Sequence, residues 1–181
     1  MKTPPRVSFP QRKSLRLKHY DYSLEGMYFV TMCTEDRRCL FGHVVGAGPS
    51  AGPKVQFNEI GSMVESIWYQ IPDHYPGVEI DEFIVMPNHL HGIIRLMPSD
   101  GRPQGAAPTF GLPGIIQRFK SLTTTRYRHG VKQSNWPPFS GRLWQRGYHD
   151  RIIRNESELN KIGQYIVDNP AKWEEDPEYS V

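Results

Sequence analysis

Two histidines, one tyrosine and one asparagine carry the most chemistry in this 181-residue chain. His89 and His91 stand two residues apart in His89–Leu96 (HLHGIIRL), a run whose length and apolar content predict a strand. Side chains two apart on a strand leave on the same face, so both imidazoles can reach one cation while Leu90 turns into the core. Two ligands do not hold an ion. A third nitrogen or oxygen donor must come from elsewhere, and a catalytic site must leave a coordination position open for substrate. Zinc hydrolases complete such pairs in other ways, but His-Glu-x-x-His is absent, and Gly92 and Ile93 follow His91 where an Asp-His would stand. A zinc-hydroxide enzyme is therefore disfavoured. His19, His43, His74, His129 and His149 have no comparable spacing and read as surface or turn residues, with His149 alone placed in a basic, aromatic segment where it could reach a phosphate.

Tyr165 lies in a second chemically suggestive segment, Lys161–Pro170 (KIGQYIVDNP). Leu159, Ile162 and Ile166 trace one apolar helix face, and Tyr165 stands beside that face rather than at its centre. Asn169, four residues on, projects from the same side, with β-carbons about 5–6 Å apart if the helix persists to its last turn. Taken alone, these residues read as a rim-of-core tyrosine followed by a helix-ending asparagine ahead of Pro170.

The elements that must position these groups follow from pattern and composition. The length suits one domain, 1–181, with a basic N-terminal arm over 1–24 and a Pro/Gly-rich flexible loop over 98–113. Met27–Thr34 (MYFVTMCT) predicts a first strand, and the Gly- and Pro-rich stretch Gly42–Pro53 a hairpin or variable loop. Asn58 caps a predicted helix with Ile60, Met63, Val64, Ile67, Trp68 and Ile71 at helical spacing and Pro72 just past its end. Val78–Met86 and His89–Leu96, separated only by Pro87-Asn88, predict a tight antiparallel hairpin. A second helix is expected over Ile115–Arg128, a short strand near Leu143–Ile153, and a third helix over 156–168 behind an Asn155/Glu158 capping box. The order is that of an α+β sandwich, helices packed on an antiparallel sheet.

The net charge of +3 and pI near 8.9 are mild, but the charge is segregated. Residues 1–20 hold six Lys or Arg and no acid, and residues 115–154 hold nine against the single Asp150. Tyr20, Tyr127, Trp144 and Tyr148 are interleaved with these cations, a combination suited to a polyanion whose bases can stack, that is, single-stranded or hairpin nucleic acid. A merely solvated basic face is the plain alternative. Arg118, Lys120 and Arg126 lie on the outer face of the second helix. Cys33 and Cys39 are too few for a disulfide framework and are expected as free thiols. No stretch approaches eighteen apolar residues and the first residues lack a secretory pattern, so a cytoplasmic protein without a membrane segment is expected.

The run Phe83–Ile94 (FIVMPNHLHGII) resembles the HUH motif of single-tyrosine transposases, two histidines around a bulky apolar residue. Leu143–Arg146, His149–Asn155 and Tyr165-Ile166 with Asn169-Pro170 resemble the C-terminal block of REP-associated tyrosine transposases, within the IS200-like transposases, and Lys18–Phe41 resembles the opening segment. The resemblance implies a ferredoxin-like or RRM-like antiparallel sheet with helices packed on it. It implies His89, His91 and Asn169 as ligands of a divalent metal, Mg²⁺ or Mn²⁺, and Tyr165 as the nucleophile that cuts and rejoins single-stranded or hairpin DNA through a 5′-phosphotyrosine. Lys18, Arg118, Lys120, Arg126, Arg146, His149 and Arg151 are then the expected DNA contacts of a monomer or homodimer. The rival expectation is a non-catalytic, domesticated hairpin-binding protein of the same fold.

Overall fold

The computed structural model describes residues 20–46, 52–98 and 110–180. Its elements run β1 (Gly26–Cys33), β2 (Gly42–Val45), β3 (Lys54–Phe57), α1 (Glu59–Tyr69), the single turn α2 (Ile71–His74), β4 (Val78–Val85), β5 (His89–Leu96), α3 (Leu112–Gln133), β6 (His149–Ile153) and α4 (Glu156–Asp168), followed by a 3₁₀ segment over Asn169–Glu175. β4, β5, β1 and β6 form one sheet in that order, and every pairing is antiparallel. With α1 and α3 as the crossovers, this is a ferredoxin-like α+β arrangement, as expected. β2 and β3 pair separately, which resolves the Gly/Pro-rich stretch into a hairpin.

Register sorts the sheet into two faces. Tyr28, Val30 and Met32 of β1 stand opposite Ile94, Gly92 and Leu90 of β5 and belong to the larger core, with Val64 and Trp68 of α1 and Ile115, Ile116 and Phe119 of α3. Gly92 is required here by close packing: a β-carbon on it would come within 2.5 Å of the Trp68 ring and 3.1 Å of the Phe83 β-carbon. On the other face, Phe29 and Ile93 meet Ile153, Ile162 and Ile166, a smaller core that seats α4. Because Thr31 pairs with His91 and Cys33 with His89, both histidines emerge on the α4 face.

Local chemistry explains the ends of the elements. Asn58 caps α1, its side-chain oxygen accepting from the backbone N–H groups of Ile60 at 3.0 Å and Gly61 at 2.9 Å. Asn155 caps α4 through Glu158 N–H, while Glu158 reaches back one residue further than a standard capping box, to Arg154 N–H. The second helix is longer than its apolar periodicity predicts. It begins at Leu112, whose N–H is held by Tyr22 O, so Leu112 and Pro113 belong to the helix and not to the expected loop over 98–113. It runs past Arg128 to Gln133 because Gly130 lets Trp136 pack directly on the helix backbone. The last sheet strand is confined to His149–Ile153, with Trp144 joined to Thr34 only by an isolated bridge.

Residues 20–24 of the expected arm include Tyr22, which is buried against Tyr28, whereas Lys18 and the rest of the arm lie outside the described residues. Both cysteines are free thiols. Among the described residues no helix is long and apolar enough to cross a membrane.

Candidate active site

β5 places His89 and His91 side by side, ring centroids 4.4 Å apart and both buried. Each ring is held by its Nδ1. Asn88 fixes the first: its Nδ2 donates to Arg37 O, Glu178 O and Ser180 Oγ, so its Oδ1 must face His89 Nδ1, 2.8 Å away. An amide oxygen only accepts, so His89 carries its proton on Nδ1 and presents a bare lone pair on Nε2. That Nε2 is buried and has no hydrogen-bond partner in the structure. Thr31 Oγ1 stands 2.8 Å from His91 Nδ1 and holds the second ring in place, though a hydroxyl can donate or accept and so does not set that ring's tautomer. Burial, with His91 adding to it, pushes His89 down to about 3, so the imidazole is neutral at neutral pH, the form that binds cations.

α4 brings Tyr165 over this pair. Ile162 and Ile166 anchor the helix, leaving Tyr165 at the rim with 38% of its surface exposed. Its ring lies edge-on to Phe29 and against His91, and its hydroxyl is 3.1 Å from His91 Nε2. Asn169, one turn on, does share this side of the helix. Its amide nitrogen donates to Asp176 Oδ2 at 2.6 Å, and Tyr165 donates to the same oxygen at 2.9 Å. Asn169 Oδ1 is buried and has no partner in the structure.

Asp176 is the group that sequence reasoning missed. Pro170 ends α4, and the 3₁₀ turn returns the chain so that Asp176 is buried with Oδ2 3.6 Å from His91 Nε2. Burial alone would raise its pKa, but hydrogen bonding from His91, Asn169 and the Glu178 N–H outweighs burial and holds the carboxyl well below its usual range. Tyr165 responds in the opposite direction: burial first, then the Asp176 charge, lifts its hydroxyl above the ordinary value. Trp173 covers His89, with ring centroids 5.7 Å apart. In the sequence this segment shows only a cluster of acids, Glu174, Glu175, Asp176 and Glu178, with no spacing rule to single out Asp176.

These donors suit a divalent cation. One ligand atom each from His89, His91 and Asp176 lies within 4.8 Å of the others, and the two partnerless atoms, His89 Nε2 and Asn169 Oδ1, are both lone-pair donors. The bridge from Asn88 to His89 yields a testable expectation. Asn88→Ala frees the ring to rotate and change tautomer, so Mn²⁺ affinity falls about 10–100-fold while the hairpin strands remain paired. Isothermal titration with Mn²⁺ checks this, and unchanged affinity would contradict it.

The expected DNA contacts divide into groups. Arg118 and Arg126 are exposed on α3, and Arg146 and His149 are exposed before and at the start of β6. Arg151 is exposed but its Nε is bound to Glu158 Oε1 at 2.7 Å. Lys120 is committed to the fold: its Nζ donates to Gln145 O at 3.0 Å and Gly147 O at 2.6 Å, and burial pushes it down to about 8.

Comparisons with known proteins bear on the family and the fold. The chain is 39% identical over 193 residues to an uncharacterized protein of Haemophilus influenzae Rd, covering 99% of each. It is 23% identical to a second protein of that organism named "Putative REP-associated tyrosine transposase", covering 84% of this chain and 74% of that one. A solved REP-associated tyrosine transposase bound to a REP hairpin shares the fold, with TM-score 0.50 and 19% identity over 87% of this chain and 74% of that one. The family described as "Transposase IS200 like" matches residues 53–169, from β3 through the histidine strand to Tyr165 and Asn169, and the chain belongs to that family.

Proposed function

We propose that this transposase is a metal-dependent transesterase that cuts and rejoins single-stranded DNA beside hairpins, with Tyr165 as nucleophile. The observation that carries the reading is the Tyr165 hydroxyl 3.1 Å from Nε2 of a buried histidine pair whose other ring nitrogens are already occupied. The Tyr165 oxygen forms a bond to phosphorus as the P–O3′ bond breaks. The tyrosine proton is lost, the departing 3′-oxygen gains one, and the 5′ side remains as a phosphotyrosine ester. One phosphoester replaces another, so rejoining by the reverse step needs no nucleotide cofactor.

His89, His91 and Asn169 Oδ1 would hold Mg²⁺ or Mn²⁺, which when bound withdraws charge from the scissile phosphate. Asn88 and Thr31 keep the imidazoles aimed. Phe29 and the α4 core fix the tyrosine ring, and Trp173 shields His89 from water. Covalent capture tests the reading: incubation with Mn²⁺ and a library of labelled single-stranded hairpins with randomised flanks should yield a denaturation-resistant protein–DNA band. A chain that binds hairpins from the library but never forms the band is a non-catalytic binding protein.

Arg118, Arg126, Arg146 and His149 are proposed to face the DNA backbone. Replacing Arg118 and Arg126 together by Ala should flatten the salt dependence of hairpin binding by up to about two units of log–log slope. Lys120→Ala should instead lower stability by loosening the segment before β6, with little change in slope. Fluorescence anisotropy across a salt series measures both, and an unaltered slope in the double variant would remove α3 from the footprint.

A further inference from the structure

We infer that Asp176 is a ligand of the same cation and that it trades its hydrogen bond with Tyr165 for that ion, so that filling the site releases the nucleophile's hydroxyl. The inference rests on the metal-dependent reading above and adds a carboxylate from outside the tyrosine helix. Ligand atoms about 2.0–2.2 Å from one ion lie about 3–3.5 Å from each other in tetrahedral or octahedral sets. The 3.6 Å between Asp176 Oδ2 and His91 Nε2 is close to that spacing, His89 completes a cluster whose ligand atoms all lie within 4.8 Å of one another, and Asn169, bonded to the same Oδ2 through its amide nitrogen, carries a buried lone pair on Oδ1. Two neutral imidazoles and an amide carry no charge, so Asp176 is the group that partly neutralises a dication at this buried position.

Counting lone pairs gives the exchange. Asp176 Oδ2 already accepts from Tyr165 at 2.9 Å and from Asn169 at 2.6 Å, and a carboxylate oxygen has about two such positions. A cation on Oδ2 must displace one donor. Tyr165 is the donor with a way out, being the partly exposed one of the two, whereas Asn169 is buried at the helix end. Oδ1 meanwhile stays on Glu178 N–H at 2.7 Å, which keeps the carboxylate in place. Asp176 thus holds the hydroxyl when no ion is present and yields it to substrate when one binds.

Mn²⁺ affinity, measured by electron paramagnetic resonance on the full chain without DNA, tests both halves. Asp176→Asn should weaken binding about tenfold or more, and His91→Ala should remove measurable binding. Tyr165→Phe should strengthen it severalfold, because the competing hydrogen bond is gone. Electron–nuclear double resonance on wild-type protein carrying ¹³C at its aspartate carboxyls should show a directly coordinated carboxylate, which needs no variant to fold. Wild-type affinity in Asp176→Asn, or no carboxylate coupling, overturns the ligand. Tyr165→Phe binding no tighter than wild type overturns the exchange. If His89→Ala and His91→Ala also bind Mn²⁺ normally, the metal reading itself fails, an outcome distinct from failure of Asp176 alone.

Discussion

Tyr165→Phe should abolish the covalent adduct and lower strand cleavage by at least about 10³-fold, while hairpin affinity changes less than about twofold. The substitution removes one oxygen and keeps the ring, so the edge contacts with Phe29 and His91 that seat it survive. The lost hydroxyl leaves Asp176 Oδ2 with Asn169 as its hydrogen-bond donor, a cost of about 1 kcal/mol in stability. Of the nine tyrosines, Tyr148 stands between Arg146 and His149 in the basic segment, but it packs against the larger core under Lys120, on the opposite side of the sheet from the histidines. Tyr148→Phe should therefore leave the adduct intact. Gel assays with labelled hairpin DNA decide between them, and full cleavage by the Tyr165→Phe protein would contradict the assignment.

His89→Ala and His91→Ala should each lower cleavage by about 10³-fold or more and remove measurable Mn²⁺ binding. Neither should unfold the chain, because the opposite side of β5 is held by Leu90, Ile94 and Leu96 in the larger core. His89→Ala should still lower stability by about 1–3 kcal/mol, since it opens space beneath Trp173 and strands Asn88 Oδ1 in the interior. Circular dichroism melts read the stability, and cleavage rates with titrated Mn²⁺ read the function. A double variant cutting at the wild-type rate in added Mn²⁺ would remove the metal site.

What could be read without coordinates was what local rules govern. The two-residue spacing of His89 and His91 decides their shared face, and Asn58 and Asn155 announce the starts of α1 and α4. The four-residue step from Tyr165 to Asn169 puts both on Asp176. The misses are tertiary. Asp176 reaches the site only because a 3₁₀ turn folds back after Pro170, and no periodicity encodes that return. Asn88 reads as a turn residue, yet its amide is fixed by Arg37, Glu178 and Ser180, one far before it and two far after it in sequence. Lys120 is indistinguishable by pattern from Arg118 and Arg126, and only the packing of the segment before β6 shows it bound to main-chain carbonyls.

The central claim is a bond between one tyrosine and DNA, and peptide mapping of the trapped adduct reaches it most directly. Protein incubated with Mn²⁺ and hairpin DNA, denatured, digested with nuclease and protease, and sequenced by mass spectrometry should yield a nucleotide-bearing peptide that spans Lys161–Pro170 with the modification on Tyr165. The same mass shift on Tyr148 or any other tyrosine, with Tyr165 unmodified, would contradict the account.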